Sequence, residues 1–165
     1  MSELSELEPP EYQEMGSLNH SIVQARLTGL LFNDERFTPA VELSLDVSQI
    51  DLSQFGLKTK AELKPDISLY QGHRQLSNLD DVLSVTEMPL LVIEILSPKQ
   101  PLDELLAKFK AYFTLGIKSC WLVTPSIRAI AIYSQSKYLK TFSTNDIEVV
   151  DEIGDIHLPM QKIFG

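Results

Sequence analysis

The sequence predicts a three-layer α/β domain, with a mixed central sheet flanked by helices. Three observations carry this. Leu90–Leu96 is a short, continuous apolar run of strand length, the pattern of a strand buried on both faces. An amphipathic stretch, Leu102–Leu115, follows it, and a second strand-like run, "SCWLVT" (119–124), comes next. Strand, helix and strand in that order imply a crossover between parallel neighbours. A further helical pattern near residues 20–32 is available for the sheet's other face.

Taken in order, residues 1–16 are rich in Glu and Pro without periodicity and read as a flexible acidic arm. Residues 17–165 read as one domain. Asn19 is a candidate cap for the first helix, with Ile22, Val23, Leu27, Leu30 and Leu31 inward. "AVELSLDV" (40–47) alternates apolar and polar residues and reads as one strand. "DISLY" (66–70) reads as another, and a short helix is expected near Leu79–Ser84. Leu102, Leu105, Leu106, Phe109, Tyr112 and Phe113 line one face of the second long helix, and Gly116 stops it. "RAIAIYS" follows "SCWLVT" after a turn at Pro125–Ser126. "KYLKTFS" and "IEVVD" read as a further strand pair, and "PMQKIFG" as a closing helix.

The 165 residues suffice for a sizeable core. No apolar run approaches 18 residues, so no membrane span is expected. The acidic N-terminus lacks the pattern of a secretory signal, and the expected compartment is the cytoplasm. A single cysteine, Cys120, excludes an internal disulfide framework and reads as a core thiol. The net charge is −9. Glu3, Glu6, Glu8, Glu11 and Glu14 supply much of it, and without residues 1–16 there are 18 acids against 14 bases. This balance opposes tight, sequence-blind binding to nucleic acid but leaves room for a local basic groove. Deleting residues 1–16 is expected to leave the thermal midpoint nearly unchanged. A large drop in a melting experiment would show that the arm packs on the body or on a partner.

The chemistry centres on Glu94, an acid in the middle of the apolar run. An ionised side chain there is costly unless it is paired or holds a metal. Glu94 shares a strand face with Val92 and Leu96, and Asp66 shares one with Ser68 and Tyr70. If the two faces coincide, two carboxylates converge. Two acids with waters and phosphate oxygens are a usual set for a hard cation such as Mg²⁺ or Mn²⁺. The plainer alternatives are a turn role for Pro65-Asp66 and a Lys or Arg partner for Glu94. His20 reads as a capping or surface residue, Tyr112 and Trp121 as core aromatics, and Ser97-Pro98 as a turn.

"KPDISLY", "PLLVIEILSPKQ" and "KFKAYFTLGIKSCWLVTP" together resemble the Uma-two family of restriction-endonuclease-type proteins in the PD-(D/E)XK nuclease superfamily. The matching residues are Pro65, Asp66, Glu94, Ser97, Pro98, Lys108, Tyr112, Gly116, Trp121 and Pro125. "NHS" at Asn19–Ser21 also resembles the family's His near its first helix. The resemblance spans roughly residues 17–165. It implies a restriction-endonuclease-like fold and a metal-dependent endonuclease acting on nucleic acid, DNA in the first instance. It further implies Asp66 and Glu94 as metal ligands, His20, Tyr112 and Ser97 as site-lining residues, and a homodimer for cutting duplexes.

The departures from that pattern are informative. The superfamily's strand lysine is replaced by Leu96, which can neither activate water nor offset charge. The resemblance points to Lys108 on the following helix as the migrated catalytic lysine. The helical wheel by itself allows Lys110 equally, and Lys99 lies just past the strand. Glu104 and Thr124 stand where the family has Asp. The first helix has no acid, which leaves Glu42 or Asp46 as candidates for a third carboxylate. The competing expectation is a nuclease-fold protein without catalysis, serving as a binding or regulatory module.

Overall fold

A computed structural model describes residues 16–57, 62–135 and 137–165. The proposed arm therefore lies outside the described residues, except for Gly16. The chain runs α1 (Leu18–Phe32), β1 (Phe37–Val41), β2 (Leu45–Asp46), a 3-10 turn (Leu52–Phe55), β3 (Glu62–Leu63), β4 (Ile67–Gln71), β5 (Leu91–Ile95) and α2 (Leu102–Thr114). It continues with β6 (Ser119–Thr124), a 3-10 turn (Pro125–Ile127), β7 (Ala129–Ser134), β8 (Lys137–Phe142), β9 (Glu148–Asp151), β10 (Ile156–Pro159) and α3 (Met160–Phe164).

Six strands form the main sheet in the order β1-β4-β5-β6-β7-β8. Only β5 and β6 are parallel, and α2 connects them. The sheet is thus mixed, as expected. Alternation along β5 divides the core. Leu91, Ile93 and Ile95 pack with Val23, Leu27 and Leu31 of α1, while Val92 packs with Leu105, Phe109 and Tyr112 of α2. The helices therefore cover opposite faces, which makes three layers.

The strands β1 and β8 form the edges of this sheet. In β1, Pro39 lies opposite Leu69. Arg36, Thr38, Ala40 and Glu42 are the positions that exchange ladder bonds with β4, as Gly72 N–H to Arg36 O and Glu42 N–H to Asp66 O show. The nitrogen of Pro39 consequently points away from the sheet, where a missing N–H leaves no ladder bond unmade.

Asp151 pins the layer beneath. Its buried carboxylate accepts from Ser119 Oγ at 2.5 Å, Trp121 Nε1 at 2.7 Å, and the Ile153 and Gly154 backbone N–H groups. This ties β9 to β6, and Trp121 is more than an apolar filler.

The structure corrects several expectations. The cap of α1 is Ser17, whose Oγ accepts from His20 N–H at 3.1 Å, and not Asn19. Ile22 is partly exposed, and Gln24 takes an inward position instead. The 40–47 strand is broken, because Glu42 adopts a left-handed φ of 51° and turns the chain off the sheet. Leu45 and Asp46 then pair with Leu63 and Glu62 in a separate ribbon. Residues 72–84 contain no helix or strand, and Leu79 and Leu83 stay exposed. A single short turn does not form without a surface to bury its apolar face. Finally, β8 pairs with β7, and β9 pairs with β10, a strand that the sequence pattern does not announce. The short β7–β8 connection favours the local hairpin over pairing between "KYLKTFS" and "IEVVD".

Candidate active site

The register of β4 on β5 places Ile67 opposite Ile93, so the next positions, Asp66 and Glu94, also oppose each other. The two strand faces coincide. The backbone then locks both side chains. Asp66 N–H donates to Glu94 Oε1 at 3.1 Å, and Ile95 N–H donates to Asp66 Oδ2 at 2.7 Å. The acid pair is thus held by backbone bonds between β5 and the residue that leads into β4.

Each helix adds a group. From α2, the buried Tyr112 hydroxyl donates to Glu94 Oε2 at 2.9 Å. From the first turn of α1, His20 Nε2 lies 3.1 Å from Asp66 Oδ2. One turn further, Gln24 Nε2 donates to the Asp66 carbonyl at 2.9 Å. The expectation that His20 is a mere capping or surface residue is corrected, and Tyr112 is a core aromatic with a site contact.

Electrostatics follow the burial. The Glu94 carboxyl is pushed up to about 7, first by burial and then by the charge of Asp66. Lys108, the Tyr112 hydroxyl and the Asp66 N–H pull it partly back. His20 is raised, chiefly by its bond to Asp66; burial opposes this, and the charges of Asp66, Glu42 and Glu94 add to it. Burial, followed by the charge of Glu94, lifts Tyr112 well above the usual phenol range.

The remaining candidates separate clearly. Lys108 is half-buried on α2, with its charge felt at Glu94, whereas Lys110 is exposed. Leu96 packs into the apolar cluster beneath α2. Ser97 opens the β5–α2 turn, where Gln100 N–H donates to its carbonyl and its own N–H faces Gln100 Oε1. Glu42 is exposed, donates its N–H to the Asp66 carbonyl and exerts its charge on His20. Asp46 is occupied in its own ribbon, where it accepts from Ser48 N–H. Gln24 is a site residue that the sequence did not single out. A signal for it exists: positions 20, 24, 27 and 31 fall on one helical face, and two of them are polar.

The donor set suits a hard cation in part. Asp66 Oδ1 accepts no hydrogen bond from any described residue, and the side chain is partly open to solvent. Two hard carboxylates are brought to neighbouring strand positions, and the charge of Asp66 adds to burial in raising Glu94. Among the described residues, no group of three or more His, Cys, Asp or Glu is spaced to hold a metal by itself. Waters and a phosphate would have to complete the shell.

Fold and site together define an α/β protein of the nuclease-like class. The chain belongs to the Uma2 family, described as "Putative restriction endonuclease", whose match covers residues 11–161. Its fold is similar to that in the crystal structure of a putative nuclease belonging to DUF820 from Anabaena variabilis ATCC 29413. That likeness has a TM-score of 0.72 at 20% identity and covers 91% of this chain and 82% of the other. At that identity the likeness is one of fold. No curated protein matches the chain. No helix among the described residues is long and apolar enough to cross a membrane.

Proposed function

We propose that this protein is a metal-dependent endonuclease that hydrolyses phosphodiester bonds of nucleic acid, with DNA as the expected substrate. The observation that carries the reading is the Asp66–Glu94 pair, opposed across β4 and β5 and locked by reciprocal backbone bonds. Asp66 and Glu94 would hold Mg²⁺ or Mn²⁺. Such an ion, when bound, lowers the pKa of a coordinated water and neutralises charge on the phosphate.

The chain's own residues supply the rest. Tyr112 fixes the rotamer of Glu94, so that one carboxylate edge stays directed at Asp66. His20 and Gln24 hold Asp66 from the other side, through its carboxylate and its carbonyl. Lys108 supplies the positive charge that Leu96 cannot, orienting the water or offsetting charge on the scissile phosphate. The second reading, a non-catalytic module, is favoured by Leu96, which leaves the strand without its lysine.

Plasmid nicking by pure protein with Mg²⁺ or Mn²⁺ separates the two. Lys108→Ala is expected to lower turnover by about 10²–10³-fold while keeping the fold. Lys110→Ala is expected to be nearly silent. Equal effects of the two substitutions would remove Lys108 from its role, and no cleavage under any divalent metal would favour the module.

A further inference from the structure

Helix α1 is apolar on two sides. Its inward residues Val23, Leu27 and Leu31 belong to the core. On the opposite side, Leu18, Ile22, Ala25, Gly29 and Phe32 recur at alternating steps of four and three, which makes them one stripe. All five are exposed, Leu18 to 75% and Phe32 to 72%. Along one flank, Pro39 and Val41 of β1 join Ala25, Gly29 and Phe32 in lining an open groove of about 480 Å³. Val41 is itself 47% exposed. Helix stripe and strand edge are thus one continuous surface, and no described element covers it. A single exposed leucine needs no explanation, but a row of apolar residues does.

Charge and shape select the occupant. From Ser17 to Asn33 there is no acid and one base, Arg26, which donates to the Ile163 and Gly165 carbonyls. Past the ends of the surface lie Asp34, paired with Arg36, and Glu42, next to Val41. A nucleic-acid backbone or an anionic lipid surface calls for free bases, and this face offers only the engaged Arg26. A second copy of the chain fits better. Each copy carries −9, so two copies repel over most of their surface, and least where neither presents an acid.

A two-fold pairing repeats every contact, so the patch must match itself reversed. Ala25 lies at the middle of the stripe, and small side chains at Ala25 and Gly29 let two helix axes come close. A Cβ at Gly29 would meet no atom within 4 Å, so this position is an open notch. Reversal about Ala25 brings Ile22 over the partner's Gly29 and Leu18 over the partner's Phe32. The 15 residues of α1 make a helix about 22 Å long. With the β1 flank it offers on the order of 500–600 Å² per copy, the lower end of specific interfaces. The pairing is therefore expected to depend on concentration.

We infer that α1 and the edge of β1 form a self-docking face, on which a second copy of this chain packs its own α1 in the reverse direction. Self-docking does not depend on nuclease activity. It does engage the helix whose inner side carries His20 and Gln24, the residues that hold Asp66. A partner on the outer side steadies that helix behind the acid pair.

Sedimentation equilibrium of the full chain, from about 1 μM to 1 mM, tests this. The average mass should rise from one chain toward two and fall back on dilution. Ala25→Glu sets like charges against each other at the two-fold axis and should weaken dimerisation by about tenfold or more. Ala25→Lys should do the same. An equal mixture of the two variants should restore the dimer, because the charges then oppose. Gln54→Glu adds the same charge at an exposed position in the 3-10 turn that packs with α2, and should change the dimer constant less than about twofold. Thermal melts should show each variant folded, since position 25 is exposed and Glu and Lys are good helix formers. A monomer at every concentration would overturn the inference. So would a dimer indifferent to Ala25→Glu, or a mixture that stays monomeric. Deleting residues 1–16 should leave the dimer intact, and a dimer gained or lost on deletion would make the arm the occupant instead. Flotation with phosphatidylcholine vesicles in place of self-association would assign the face to a lipid surface.

Discussion

Glu94→Gln is expected to stabilise the metal-free protein at pH 8 while abolishing any metal-dependent cleavage. The Glu94 carboxyl sits at about 7 in the fold against 4.5 in the unfolded chain, because burial and Asp66 disfavour its charge. The folded state therefore holds its proton more tightly. Below pH 4.5 the group is protonated in both states and changes nothing. Between 4.5 and 7 its contribution to stability falls as pH rises, and above 7 the full penalty, about 3 kcal/mol, is present. Glutamine removes that penalty and keeps both bonds: its Oε1 accepts from Asp66 N–H, and its Nε2 donates to Tyr112 Oη. Thermal melts should show a gain of about 5–10 °C at pH 8 and almost none at pH 4.5. A loss of stability at pH 8 would mean that Lys108 already satisfies an ionised Glu94.

Asp151→Ala should produce the largest loss of stability outside the site. It strands four donors at once: the Ser119 hydroxyl, the Trp121 ring N–H and two backbone N–H groups, with the carboxylate itself buried. A destabilisation of about 4 kcal/mol follows, near the top of what single substitutions do. Asp151→Asn should recover little, because its amide NH₂ faces N–H donors. Urea melts followed by circular dichroism would read both. A change under about 1 kcal/mol would show that water replaces the carboxylate.

The sheet's centre is legible in the sequence because its physics is local. A run such as Leu90–Leu96 has no alternative to burial, and the spacing of Leu102, Leu105 and Phe109 has no alternative to a helix on that sheet. Asp66 and Glu94 are legible for the same reason, since an acid out of place in an apolar pattern needs an explanation. What is not legible depends on partners far along the chain. Glu42 breaks an otherwise good strand alternation because its partner strand β4 begins at Ile67 and the chain must leave the sheet there. "IEVVD" finds its mate in Ile156–Pro159, beyond a turn whose backbone N–H groups Asp151 binds. His20 joins Asp66 because α1 crosses the start of β4, and no spacing within α1 encodes that. The resemblance to the family supplies what propensity cannot, the order of the motifs along the chain.

Pro39 bears on how copies of this chain meet. An incoming strand at β1 would look for outward N–H groups at alternate positions, and at the middle one it finds a pyrrolidine ring. At the opposite margin, β8 presents Lys137 and Lys140, whose charges repel their own kind. Both margins of the sheet thus act as gatekeepers against runaway strand addition, the route by which open sheets pass into fibrils. A second copy of this chain would therefore have to meet it through helix or loop surfaces, leaving the main sheet six strands wide.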